Sequence, residues 1–416
     1  MASVAAPPRP TRPPVDGSRY WSRLLAVPAG AAVVAGLAHL TASLVPAARP
    51  LAVPATEFWL FGGLAVWLYL VAAAVTTLSQ RRPMPEGGRV LILAAATALG
   101  ALMLVVAERL PHLAWLGRLG WLVEAAAGLV GLLWLWLRDD RPLMPHEELD
   151  ELLVPGFRLG EADRKSDRMA RAMMVAAQID LLIGSFYAIR SGDSLWPVHA
   201  AFLLLWWGWA VSVALSALTF LLPRVTGRHL VVGQALAGGF ILWQGGIWIG
   251  FLFGPVFLWL ATAGGLLVIG ELARLVPGAF RPRPHAVGSR RLGLAVGLRR
   301  LMEAGMAGLA VAMVAMPWQL NPVMAAAWAS GATSTVLLVL LVHAGAARRQ
   351  EAVPSGRLAL GLGLLALGFL VVPWTPWSEA AGGALSAAGG LVTLWVLARQ
   401  GPDRAHLQAV TGGHGA

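Results

Sequence analysis

Long apolar runs alternate along this chain with short segments that carry its arginines and prolines. The runs fall at 22–45, 57–79, 89–107, 111–137, 169–189, 195–222, 230–253, 255–276, 298–316, 320–344, 357–373 and 378–398. Most approach the twenty or so residues that a helix needs to cross a hydrocarbon core of about 30 Å. A backbone in lipid must satisfy its own hydrogen bonds, so such runs predict helices. The fold class expected is therefore all-α: a polytopic integral membrane helical bundle of about twelve transmembrane helices. The run at 195–228, LWPVHAAFLLLWWGWAVSVALSALTFLLPRVTGR, holds His199 near its start and no charge until Arg224. Pro197 suits a helix entry, and Pro223, Arg224, Gly227 and Arg228 suit an exit. On an α-helix, steps of three and four put Phe202, Trp206, Trp209 and Ser216 near the face of His199.

The connections fix the expected orientation, because basic residues favour the cytoplasmic side. Arg9, Arg12, Arg19 and Arg23 lie before or at the very start of the first run, seven arginines and lysines lie in 138–171, and seven arginines run from Arg274 to Arg300. The alternate connections hold Arg49, Arg109 and Arg190. Both termini are thus expected in the cytoplasm of a cell whose inner (cytoplasmic) membrane holds the protein. The chain divides into a disordered Pro/Arg-rich tail at 1–21, four spans at 22–137, a cytoplasmic linker at 138–168, eight spans at 169–398 and a disordered tail at 399–416. In the linker, the Glu147–Glu151 stretch alternates with leucines as a short amphipathic surface helix does, and offers a docking site.

Composition narrows the chemistry further. The 416 residues are 57% hydrophobic and 13% charged, with a mean hydropathy of +0.68, outside the soluble globular range. The net charge of +11 resides in connections between spans, where it sets orientation; nucleic acid is not an expected partner. With no cysteine, disulfides, iron–sulfur clusters and thiol nucleophiles are excluded, and a metal would need His, carboxylate or Met. No hydrolase, kinase or nucleotide motif is present, and the sequence leaves open whether the protein is an enzyme.

Polar groups within the spans are few, and those that persist in lipid mark function or helix contacts. Gln178, Asp180 and Glu124 fall mid-span, and Gln234 and Gln244 share another run. Glu124 and Asp180 fit either a protonatable relay or an interhelical clamp. Glu271 and Glu303 lie at helical spacing from Arg274 and from Arg299 and Arg300, which predicts ion pairs. His39, His112 and His199 all fall at the extracytoplasmic depth, where imidazoles can ligate copper, zinc or haem iron. Tryptophans near span ends, such as Trp59, Trp115, Trp196, Trp318, Trp374 and Trp377, suit an interfacial belt. Paired glycines such as Gly238-Gly239, Gly245-Gly246, Gly264-Gly265, Gly382-Gly383 and Gly389-Gly390 allow close helix approach.

Around His199 the order of His199, Gly208, Leu222-Pro223-Arg224 and Gly227 resembles a helix signature of the haem-copper oxidase subunit I-like superfamily. That group includes the twelve-span NnrS family linked to nitric oxide. A weaker likeness runs over 321–349, with Gly331-Ala332 and His343-Ala344-Gly345. The resemblance implies a twelve-helix scaffold that binds haem or copper through His199, with His39 or His112 as second ligand and a role in nitric oxide or respiratory metabolism. The chain departs from the pattern at Glu57, Phe58 and Met324, where histidines would be expected, and has no His-His pair. A complete oxygen-reducing centre is therefore not expected. Two alternatives need no cofactor. One is a transporter or permease lined by Glu124, Asp180, Gln178 and the Gln234/Gln244 helix, the other a non-catalytic scaffold subunit among respiratory partner subunits.

Overall fold

The computed structural model describes residues 26–81, 87–133, 143, 145, 146, 149, 164–191, 203–226, 228–278, 289–318, 328–340, 356–372 and 376–399. Among these residues all regular structure is helical and no strand occurs. Each of the twelve apolar runs contains a helix. They are α1 (Ala26–Leu44), α2 (Pro54–Ser79), α3 (Gly87–Arg109), α4 (Trp115–Leu132), α5 (Lys165–Ser191), α6 (Leu203–Thr226), α7 (Gln234–Phe253), α8 (Leu258–Ala273), α9 (Ser289–Ala315), α10 (Trp328–Leu340), α11 (Gly356–Val371) and α12 (Pro376–Arg399). Eight helical segments, those of α1, α2, α5 to α9 and α12, are long and apolar enough to cross a membrane. By helix length and composition this is a multi-pass membrane protein.

Two helices are central. In α6 and α2, 94% and 88% of the apolar window is enclosed by protein, against 39–50% in the other six candidate spans. Both contain π-helical turns, Phe58–Leu64 after a first α-helical turn in α2 and Leu203–Val211 at the start of α6, before continuing as α-helix. Each of these turns contains a glycine whose missing side chain is filled by a neighbour. A Cβ on Gly63 would stand 2.5 Å from the ring of Trp59, and one on Gly208 would stand 2.7 Å from Asp180 Oδ2. Over 203–211 the wider turn replaces α-helical stepping, so the single face inferred for Trp206 and Trp209 does not carry through this stretch; Phe202 lies outside the described residues.

The glycine pairs allow close approach as expected: in α8 and α12 both members of each pair pack tightly, while in α7 one member of each does. Gly239 and Gly246 of α7 press on α8 at Gly264 and Ala261, whereas Gly238 and Gly245 meet nothing within 4 Å. The same small residues close the bundle, for a Cβ on Gly383 of α12 would lie 2.6 Å from the Gly36 carbonyl of α1. First and last helices are thus neighbours. Of the tryptophans expected in an aromatic belt, Trp115, Trp318 and Trp377 are exposed. Trp59 departs from it: 1% exposed, it stacks on Phe369 at 4.0 Å between centroids. Its neighbouring Gly63 gives the ring an inward berth. Trp196 and Trp374 lie outside the described residues.

Candidate functional site

Helix α5 carries the chemistry of the interior, in two parts. Near its start Asp167 meets Arg224, which follows Pro223 in the last turns of α6. Arg224 Nη1 and Nη2 donate to Asp167 Oδ1 and Oδ2 at 2.7 and 2.9 Å, and Nη1 also donates to the Phe220 carbonyl at 2.8 Å. The guanidinium lies 4.2 Å from the Phe220 ring centroid, and both charged side chains are buried. Fork-to-fork geometry of this kind is the strong form of an ion pair. One turn further along α5, Arg171 donates to the Ser79 carbonyl at the end of α2, a carbonyl without an intrahelical partner. Ser216 Oγ donates to the Ala170 carbonyl at 2.6 Å. The start of α5 is thereby fastened to both central helices.

Three to four turns deeper, Asp180 is 0% exposed and packs against the backbone of Gly208 in the π-helical part of α6. Gln244 and Trp248 of α7 are polar neighbours of its carboxyl group, yet neither oxygen has a partner at hydrogen-bond geometry. Gln244 is engaged elsewhere: its amide nitrogen donates to Ser212 Oγ at 2.7 Å, beside the indole of Trp243 at 3.1 Å. Gln178, 6% exposed, reaches the sulfur of Met174 at 3.9 Å. Asp180 and Gln244, read from two separate runs, are therefore brought to one place.

Glu124 of α4 is buried, and its Oε1 also lacks a partner. A Cβ on Gly100 of α3 would lie 3.0 Å from that oxygen. Across from it, Tyr69 of α2 approaches the Glu124 carbonyl at 3.5 Å and packs its ring on Trp209 at 5.4 Å. Tyr69 thus stands between the Glu124 segment of α4 and Trp209, which belongs to the π-helical turns that cover Asp180.

The histidines separate. His39 of α1 is buried, with Nδ1 2.9 Å from Glu379 Oε1 of α12 and Nε2 3.1 Å from Thr56 Oγ1. Thr56 Oγ1 in turn donates to the Ala52 carbonyl at 3.2 Å. Both ring nitrogens are thus engaged, and a metal or haem iron at His39 would displace one contact. His112 lies exposed on a short turn, Pro111–Leu113. His199 lies outside the described residues. Among the described residues no three His, Asp or Glu side chains gather as a metal site.

Two of the expected surface pairs form: Arg274 with Glu271 at 3.2 Å, and Arg299 and Arg300 with Glu303 at 2.8 and 2.9 Å. Reading the chain alone missed Asp167, Glu379 and Ser212. Asp167 sat beside a charge run and Glu379 at a run's edge, and Ser212, mid-run, is a small hydroxyl of the kind apolar helices commonly carry, so none stood out as a polar group in lipid. The expected linker helix falls largely outside the described residues, but Leu149 within it is fully buried.

No family model matches this chain, and no curated protein or solved structure matches it either.

Proposed function

We infer that this protein is a membrane transporter that moves an ion or a protonatable solute, with Asp180 as its charge-bearing site. The observation that carries the reading is a carboxyl group with no exposure and no hydrogen-bond partner, set against irregular helix in the most enclosed span. Ionised and unpaired, such a group costs several kcal/mol in an apolar interior. Its low-energy states are the neutral acid and a carboxylate neutralised by a cation, and a group that alternates between them carries charge. Irregular helical turns recur at functional sites, and ion sites of transporters are built at such interruptions. Glu124, beyond Tyr69 and Trp209, is a second carrier of the same kind. We place the protein in the cytoplasmic membrane with twelve spans and both termini cytoplasmic, on the distribution of its arginines.

Reconstitution into proteoliposomes tests this. A current driven by membrane potential, lost in Asp180→Asn to the level of empty liposomes, is the expected result. A protein that carries no current, or whose current survives the substitution, would not be this transporter.

The haem or copper reading rests on the Leu222-Pro223-Arg224 resemblance and on His199. In that signature, Arg224 has a role of its own as the partner of Asp167. The optical spectrum and metal content of the same preparation, beside His199→Ala, decide that reading. A Soret band or bound copper lost in the variant would support it.

A further inference from the structure

This inference rests on the transport reading and names its ion. The groups that face Asp180 are the wrong chemistry for a metal cation. Hard cations such as Ca²⁺ and Mg²⁺ are held by six or more oxygens, and a monovalent cation in a dry site also needs a shell of oxygens to replace its water. Around Asp180 the structure supplies nitrogen donors instead. Trp248 offers an indole N–H, which has no lone pair to give, and the Gln244 amide turns its nitrogen to Ser212. Gln178, two residues before Asp180 on α5, is directed to Met174, and the one buried hydroxyl nearby on the helix, Ser185, lies five residues on and offers a single oxygen. No charged or titratable partner of Asp180 occurs among the described residues, and no cluster of carboxylates accompanies it.

Space argues the same way. Gly208 stands so close that even a methyl group would overlap the carboxylate, with Cβ 2.7 Å from Oδ2 and 2.8 Å from Cγ. Leu205 fills the adjacent hollow, since a Cβ on Gly184, one turn along α5, would lie 2.9 Å from its Cγ. A hydrated or organic cation finds no berth there.

We propose that Asp180 takes the proton and no other cation, the site alternating between a neutral carboxyl and a carboxylate received by the N–H groups of Trp248 and Gln244. On release the carboxyl O–H bond breaks, its electron pair stays on the oxygen, and the proton passes to water. The charge left behind is met by donors already facing it. Trp248 and Gln244 both carry N–H groups, which suit the ionised form of a neighbouring acid.

Infrared difference spectra of the intact protein in lipid read this directly. The expected result is a carbonyl stretch of a neutral carboxylic acid that shifts in D₂O, disappears in Asp180→Asn, and does not change when sodium or potassium replaces choline. In proteoliposomes a pH-sensitive dye should report proton movement that Asp180→Asn removes, while radioactive sodium stays outside. A band that sodium or potassium titrates away, or sodium uptake that depends on Asp180, would overturn the proton assignment and leave the transport reading standing. A band indifferent to both cations in a protein that moves nothing would keep the proton site and sink the transport reading. Absence of the band at every pH would overturn the assignment from wild type alone.

Discussion

Helix α5 carries two buried aspartates that the bundle treats in opposite ways. Asp167 receives two hydrogen bonds from Arg224 in a bidentate pair; Asp180, thirteen residues along the same helix, receives none. Both are enclosed, at 6% and 0% exposure. The difference lies in what α6 presents to each. Its regular end supplies an arginine after Pro223, and its π-helical beginning supplies Gly208 and a wall of tryptophans. A paired buried charge holds helices together, whereas an unpaired one is free to change state. We take the first as the fastening of α5 and the second as its working group.

The sharpest way to break this contrast is to remove Arg224. Arg224→Ala strands Asp167 as an uncompensated buried carboxylate and is expected to cost about 3–5 kcal/mol. The apparent melting temperature in detergent should fall steeply. Asp167→Asn should fall less, and the double variant Asp167→Asn/Arg224→Met should recover part of the loss, because a matched apolar pair leaves no charge behind. Equal losses in all three would mean that the pair is not what fastens α5 to α6.

Gly208→Ala comes next. The added methyl overlaps Asp180 Oδ2 and Cγ, and overpacking of this kind costs about 1–3 kcal/mol. Asp180→Ala opens the space that the methyl needs, so the double variant should be more stable than the sum of the two single losses predicts, by roughly 0.5 kcal/mol or more. Strict additivity in thermal denaturation would mean that the two residues do not touch.

The tie between the first and last helices should respond more weakly. Glu379→Gln keeps the shape and one acceptor while removing the charge opposite His39 Nδ1. Glu379 is partly exposed, with 23% of its side chain accessible, so the loss should be about 1 kcal/mol, in the range of one hydrogen bond. Thr56→Val tests the other side of the ring, where Nε2 meets the hydroxyl. A protein indifferent to both would owe the α1–α12 contact to its glycines alone.

The helices of this fold were legible because length and apolarity in lipid leave the backbone one choice. All twelve runs hold a helix, and the glycine pairs, read as sites of close helix approach, lie where α7 meets α8 and α11 meets α12. Asp180 and Glu124 stood out because a charge in an apolar run is rare. What the residues could not convey was partnership across the chain. Asp167 and Arg224 are 57 positions apart, and His39 and Glu379 are 340 apart. Each pair exists because two helices pack, a property of the whole bundle. The π-helical turns were hidden too, since α- and π-helix use the same apolar alphabet. The choice is made by bulky neighbours such as Trp59, which needs the space beside Gly63. Glu379 was passed over because the first turn of a helix is an ordinary place for an acid.

The smallest expected effect tests the comparison most directly. Asp180→Asn replaces a carboxyl with a carboxamide of nearly the same shape and breaks no hydrogen bond, because none is made. Its stability should stay within about 1 kcal/mol of wild type, the scale of a single bond gained or lost. The same exchange at Asp167 removes a charge that Arg224 needs and should be plainly destabilising. If the two substitutions lowered the melting temperature equally, Asp180 would be as much a structural residue as Asp167, and the division of α5 into a fastening end and a working centre would fall. If only Asp167→Asn did so while Asp180→Asn abolished ion movement, function and stability would be separated along one helix by a difference in partners alone.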